Sequence, residues 1–363
     1  MSSAQRNQYE PDLVTPPGEI LLEKLEELGM TQADLAERIG RTKKTVNEII
    51  KGKAPILSET ALQLERVLAI PARFWTNAEG QYREFLAREE ERQRLGKHLG
   101  WLKTIPVKKM VQVGWLPQRR DPVATLQDAL NFFGVASPES LSQVGKEKCL
   151  AFRQSGAHEI DQYALLAWIR KGEIEAQQQQ CAPYDEKQFR SALAEIRKLT
   201  RETVKTYVPR MAHLCTASGV ALVFVPEIPG ARAWGVTHWL SPDKAVLQLS
   251  LRGKTDDHLW FTFFHEAAHI LLHPKRDIFV ELNGTTDSRE EEANRFACDV
   301  LIPPTAWQVV VQTQPRSAAE VQTLAKRLGI APGILVGRLQ REQLLPWTHL
   351  NALKTKLEFK AAP

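Results

Sequence analysis

The sequence predicts a multi-domain, mainly α-helical protein. It expects an all-α helix-turn-helix domain at the N-terminus, a helical middle region, and an α+β C-terminal domain with a small sheet. Three observations predict this. Residues 31–50 hold two short helical patterns separated by a glycine. Residues 121–172 keep a helical period. Short β-branched runs near 220 and 245 lead into a long apolar helical stretch, Trp260 to His273. The expected boundaries are 1–80, 81–184 and 185–363.

A chain of 363 residues with 43% apolar side chains has room for two or three cores. No apolar run approaches the length of a membrane span, and the polar, proline-bearing start lacks the apolar centre of a signal peptide. Cys149, Cys181, Cys215 and Cys298 are scattered, with no Cys-x-x-Cys pair, which predicts reduced thiols in a cytoplasmic protein. A formal charge of +5 permits nucleic-acid binding without arguing for it.

In chain order, Gly18 to Leu28 is an amphipathic helix closed by Gly29. Thr31 and Asp34 form a capping box for the next helix. A helix-turn-helix needs a small residue where its helices touch, a glycine at the turn and apolar residues that pack the second helix back. Ala36, Gly40, Val46 and Ile49 meet those needs. Thr42 caps the second helix, which would present Lys43, Lys44, Thr45 and Asn47 to a major groove, with Gln32 beside them. Arg41, Lys51 and Lys53 flank it near phosphates. The bland alternative is a hairpin used only for packing. Ser58 to Leu68 is a further helix.

The segment "PGEILLEKLEELGMTQADLAERIGRTKKTVNEIIKGKAPILSETALQLERVLAIPARFW" resembles the HigA-type antitoxins of the Xre family of DNA-binding proteins. That resemblance implies a homodimer on a double-stranded operator. Lys43 departs from relatives, which often have a small residue or proline there.

Residues 81–120 turn charged and basic, read either as a solvated helical connector or as an auxiliary nucleic-acid or partner surface. Asp185 to Ser218 is a long helical pattern with a break expected at Pro209. Val220 to Val225 and Ala245 to Leu251 read as strands, and their sheet could offer an edge to an extended peptide.

The following helix contains His-Glu-x-x-His. Positions i and i+4 share a helix face, so His265 and His269 can point at one metal ion, with Glu266 beside it as a carboxylate able to take a proton from water. Phe261, Phe264, Ala268 and Leu271 are expected on the buried stripe, and Asp256 or Asp257 as the cap. A second helix from Arg289 to Ile302 brings acidic groups. Two histidines and one glutamate, with a fourth position left for water, suit catalytic zinc. Glu290 is the favoured third ligand, Glu291 and Glu292 competing. Asn294, one turn on, could hydrogen-bond a ligating imidazole. His238, His258 and His273 could each steady an oxyanion, but an ordinary structural histidine is the simpler reading.

"FTFFHEAAHILLH" and "EEEANRFACDVLIP", with the preceding "SGVALVFVPEIPG" and "WGVTHWLSPDKAVLQLSLRGKTDDHLW", resemble the ImmA/IrrE family of bacterial metallo-endopeptidases. The resemblance covers roughly the second half of the chain and implies a zincin-like metallopeptidase domain holding Zn2+. By position, His265, His269 and Glu290 match the family's ligands and Glu266 its catalytic base. Cys298 stands where relatives have a small apolar residue and is expected to be buried rather than a fourth ligand. Near the C-terminus, "VQTLAKRLGIAPGILVGRL" echoes the helix-turn-helix pattern, but Pro332-Gly333 replace the basic start, which predicts a packing helix pair.

Two functions compete. One is a DNA-binding regulator whose zinc endopeptidase cleaves a repressor, antitoxin, toxin or the chain itself. The other is a non-enzymatic antitoxin and autorepressor whose metal domain senses or binds a partner.

Overall fold

The computed structural model describes residues 14–144, 161–275, 277–281 and 288–359. Cys149 and the first 13 residues lie outside them. The chain divides into two compact units, Met1–His98 and Leu99–Pro363. The first junction therefore comes later than residue 80. A single helix, Ala72–Gly96, runs through that position.

The first unit comprises α1 (Pro17–Glu27), α2 (Gln32–Ile39), α3 (Lys43–Ile50), α4 (Ser58–Leu68) and α5 (Ala72–Gly96). The Thr31–Asp34 capping box forms in both directions, and Gly40 ends α2 in the left-handed region at φ 67°. The Thr42 hydroxyl accepts the Thr45 N–H at 3.1 Å and starts α3. Leu35, Ala36, Ile39, Val46 and Ile49 then bury one core with Leu21, Leu64 and Trp75. Inside it the Glu79 carboxylate accepts the Ile56 N–H at 3.1 Å and pairs with Arg83 at 2.7 Å, which ties α5 to the bundle. The charged stretch after residue 80 continues α5 as a largely exposed helix carrying an i,i+4 pair, Arg88–Glu84.

The second unit is a sheet between two helical layers. Its strands are β1 (Val220–Phe224), β2 (Gly235–Ser241), β3 (Lys244–Leu249) and β4 (Phe279–Glu281), in the order β1-β3-β2-β4. β1 is parallel to β3, whereas β2 is antiparallel to both β3 and β4. Alternate residues serve different cores. Leu222, Leu247 and Leu249 pack with the apolar residues of the His-Glu-x-x-His helix. Ala221, Val223 and Val246 pack with Phe132, Phe133 and Trp168 from the other layer. Burial on both faces accounts for the continuous apolar runs of β1 and β3.

That second layer comes from α7 (Pro122–Phe133) and α8 (Gln162–Gln178), so the middle helices share a unit with the sheet. The short α6 (Val107–Gln112) adds Met110 to the same core. On the opposite face lie α9 (Glu186–Lys198), α10 (Val204–Ala217), α11 (Asp256–Leu272), α12 (Ser288–Leu301), α13 (Pro304–Thr313), α14 (Ala318–Leu328) and α15 (Pro332–Arg341).

Four local expectations change. The helical break falls at residues 199–203, where a short 3-10 turn ends in extended backbone at Glu202, and Pro209 lies inside α10. Thr255, not Asp256 or Asp257, is the residue before α11, and its side chain makes no cap bond. The two aspartates occupy the first turn instead. The apolar surface of α11 is not a single stripe: Trp260, Phe263, Phe264, Ala267, Ala268 and Ile270 are all buried, while Phe261 is half-buried on the side of His265. Finally, β2 and β4 are strands that periodicity does not reveal. The helix pair α14–α15 does pack, α15 lying on α11. A Cβ at Gly337 would come within 2.6 Å of the Asp257 carboxylate, so glycine permits that close approach.

Candidate metal centre

α11 carries His265, Glu266 and His269, and α12 packs against it with Glu290 and Asn294. His265 Nε2 stands 3.0 Å from His269 Nε2. Glu290 closes the triangle, Oε2 at 3.1 Å from His265 Nε2 and Oε1 at 3.5 Å from His269 Nε2. All three residues are buried. Two donors, each about 2.1 Å from a tetrahedral zinc ion, stand about 3.4 Å apart, so this spacing fits such an ion. Glu291 and Glu292 are exposed, and among the described residues the cluster that can hold a metal is His265, His269 and Glu290.

The outer nitrogens are also held. His265 Nδ1 meets Asn294 Oδ1 at 3.1 Å, the contact expected from the one-turn spacing. An amide oxygen only accepts, so His265 carries its proton on Nδ1 and leaves the Nε2 lone pair facing the cluster. His269 Nδ1 lies 2.8 Å from His273 Nδ1, and His273 Nε2 lies 3.4 Å from Glu292 Oε2. The His269 ring stacks on Phe279 of β4 with centroids 4.3 Å apart. Burial, reinforced by His265, His273 and Arg289, pushes the His269 pKa far down, which keeps the imidazole neutral, as a metal ligand must be.

Glu266 is fully buried on the sheet side of α11. Its carbonyl accepts the Thr237 hydroxyl of β2 at 3.1 Å. Gly235, at the start of β2, is where the carboxylate comes closest to the strand: a Cβ there would be 2.5 Å from Oε1. Gly235 is not recognisable in the sequence, because only the pairing of β2 with β3 brings it under the helix. Of the three histidines named as oxyanion candidates, His273 joins the cluster through His269. His238 faces Glu173 at 3.7 Å, and His258 stacks on Trp234 with centroids 4.9 Å apart. Cys298 is half-buried beside the centre, its thiol pKa raised by burial.

In the first unit, α3 exposes Lys43 and Lys44, with Thr45 and Asn47 half-buried behind them. The Asn47 amide donates to Gln32 Oε1 at 3.1 Å, placing those two side chains together across α2 and α3. Lys51 and Lys53 are exposed after α3. Arg41 is engaged within the unit, 2.8 Å from Glu59 and 3.2 Å from Gln63.

Two family models match the chain: a helix-turn-helix over residues 21–75 and an IrrE N-terminal-like domain over residues 229–340. The chain joins a helix-turn-helix domain to an IrrE N-terminal-like domain. The second of these, a metallopeptidase-family domain, includes β2, β3, α11 and α12 and so contains the whole His265–His269–Glu290 cluster. Similar solved structures each match between 21% and 24% of the chain. An addiction module antidote protein of the HigA family from Coxiella burnetii is 30% identical, the match covering 23% of this chain and 91% of that one, with a TM-score of 0.22. The antitoxin GraA is 31% identical over 21% of this chain and 83% of its own, with a TM-score of 0.21. A Pseudomonas aeruginosa protein solved with its operator DNA is 28% identical over 24% of this chain and 92% of its own, with a TM-score of 0.22. No relative was found among curated proteins. Among the described residues, no helix is long and apolar enough to cross a membrane.

Proposed function

We propose that the protein is a cytoplasmic DNA-binding regulator whose IrrE-like domain is a zinc endopeptidase acting on a regulatory protein. The observation that carries this reading is the meeting of three buried donor atoms from His265, His269 and Glu290 at 3.0–3.5 Å, next to the buried carboxylate of Glu266. These three residues would hold the ion, and the zinc-peptidase donor set is two imidazoles and one carboxylate. Zinc held there supplies the positive charge that acidifies a water and polarises a peptide carbonyl.

The chain's own residues do the rest. Glu266 takes a proton from the attacking water and returns it to the leaving amide nitrogen. Its buried position between α11 and β2 keeps that carboxylate in one orientation. Asn294 fixes the His265 ring, and His273 fixes the His269 ring. The proteolytic target is a repressor, an antitoxin, a toxin or the chain itself. At the other end, Lys43, Lys44, Thr45, Asn47 and Gln32 read an operator as a homodimer. Thr42, Arg41, Lys51 and Lys53 support the backbone contacts. Substrate trapping with Glu266→Gln tests the reading: the variant should retain zinc and hold an uncleaved protein in cells. Equal zinc in both forms, with no protein cleaved by either, would favour a non-enzymatic sensor.

A further inference from the structure

The second unit contains a cavity of about 830 Å³ whose lining includes none of the metal-centre residues. Its floor is buried. Asp256 and Trp260 stand one turn apart at the start of α11, and the Tyr207 ring of α10 lies 4.9 Å from that of Trp260. Trp260 is fully buried, and its indole N–H finds no acceptor among the described residues. Asp256 is 4% exposed and forms no ion pair among them. Its Oδ1 accepts the N–H groups of Asp257 at 3.0 Å and Thr355 at 2.9 Å, bonds that an asparagine oxygen can equally accept. The negative charge itself thus has no partner within the fold, and a buried charge left so is costly. The rim carries mainly the opposite sign. Arg201, Lys205 and Lys326 are exposed there against one carboxylate, Glu202, and none of the four forms an ion pair among the described residues. α10 also opens on this rim without a side-chain cap, which leaves N–H groups of its first turn to an anion.

We propose that this cavity binds a small zwitterion, a free amino acid or a short peptide, with its ammonium group on Asp256 and its carboxylate among Arg201, Lys205 and Lys326. Each unmet group then has a counterpart. The ammonium offsets the Asp256 charge beside two aromatic rings, surroundings that favour a cation. The carboxylate meets the rim cations and the start of α10. A carbonyl or carboxylate oxygen accepts the Trp260 N–H. A plain anion would leave Asp256 unpaired and be repelled by it, and a plain amine would leave the rim cations unmatched. Burial raises the Asp256 pKa, so this carboxylate costs the fold stability on its own, a cost that a bound ammonium offsets. The volume lies within the range of small-molecule sites, about 300–1,000 Å³, with room for a side chain or further residues. None of these groups belongs to the metal centre, so the proposal stands whether or not zinc binds.

The test begins with a thermal-shift screen of the full chain against the common free amino acids, trialanine and trileucine, since a ligand of the folded state raises the melting temperature. The strongest is then titrated by calorimetry beside its N-acetyl form, which lacks the ammonium, and its carboxamide, which lacks the carboxylate. Each blocked form should bind roughly tenfold or more weakly, the cost of losing a charged hydrogen bond. Asp256→Asn, which keeps the backbone bonds, should remove the preference for the free over the acetylated form and leave the other preference intact. Lys205→Glu with Lys326→Glu, both exposed, should remove the preference for the free form over the carboxamide. A free amino acid that outperforms both tripeptides identifies the ligand as an amino acid, and the reverse order identifies a peptide. Either order supports the site. Stabilisation by none of the probes, blocked forms that bind as well as the free one, or preferences untouched by both variants would each overturn the proposal.

Discussion

The Nδ1 atoms of His269 and His273 stand 2.8 Å apart, so one of them must carry the proton and the other must accept it. With His269 Nε2 facing His265 and Glu290, the proton belongs on His269 Nδ1. His273 then accepts through Nδ1 and presents its Nε2–H towards Glu292. A chain of imidazole, imidazole and carboxylate thus sets the tautomer of one proposed ligand.

Removing that support should weaken the metal site without abolishing it. His273→Ala is expected to lower zinc affinity by about 10–100-fold, the usual loss when the partner of a ligating histidine is deleted. Competition with a chromophoric chelator measures it. Unchanged affinity would show that His273 only packs.

Gly235 makes a different demand. A Cβ at this position would lie 2.5 Å from Glu266 Oε1, and α11 has no room to retreat from the sheet. Gly235→Ala should therefore displace the carboxylate, cutting cleavage about as severely as Glu266→Gln while zinc content is retained. It should also cost about 1–3 kcal/mol of stability, as overpacking does. Metal analysis beside a cleavage assay separates the two effects.

For the DNA half, Lys43→Ala combined with Lys44→Ala should abolish operator binding and leave zinc content unchanged. Each lost phosphate contact should also reduce the salt dependence of binding by about one in slope. Retained binding in a gel-shift or anisotropy titration would remove α3 as the recognition helix.

Asp256 gives a pH prediction. Burial, the largest cause, raises its pKa above the ordinary value of 3.8, and nearby Asp257 adds to the rise. A folded-state pKa above the unfolded one means that stability is fully present below the unfolded value and declines as pH rises through the folded one. Asp256→Asn can keep the bonds from the Thr355 and Asp257 N–H groups through its amide oxygen. It should raise the melting temperature at neutral pH, and the gain should vanish as pH falls towards about 4. A gain independent of pH would contradict this.

What is readable in the sequence follows from how local each signal is. The Thr31–Asp34 box, the Thr42 cap, the Gly40 turn and the i,i+4 histidines are set within one or two helical turns, and each is legible. Choosing Glu290 over its neighbours needs the packing of α12 on α11, which buries it and leaves Glu291 and Glu292 exposed. β2 is hidden because Gly235, Val236 and Thr237 pair with β3 on one side and β4 on the other, a strand defined by its neighbours rather than by alternation. Pro209 misleads because a proline in a helix marks a lost hydrogen bond, not where the chain must turn. The cavity over Asp256 and Trp260 comes from α10, α11, α14 and α15 together and leaves no local trace.

The most direct measurement is zinc stoichiometry with X-ray absorption on the purified full chain and its variants. The proposal expects one zinc per chain, bound by two imidazoles and a carboxylate, retained in Glu266→Gln and lost when His265, His269 or Glu290 becomes alanine. Zinc bound equally well by wild type and by the His265→Ala, His269→Ala double variant would contradict it.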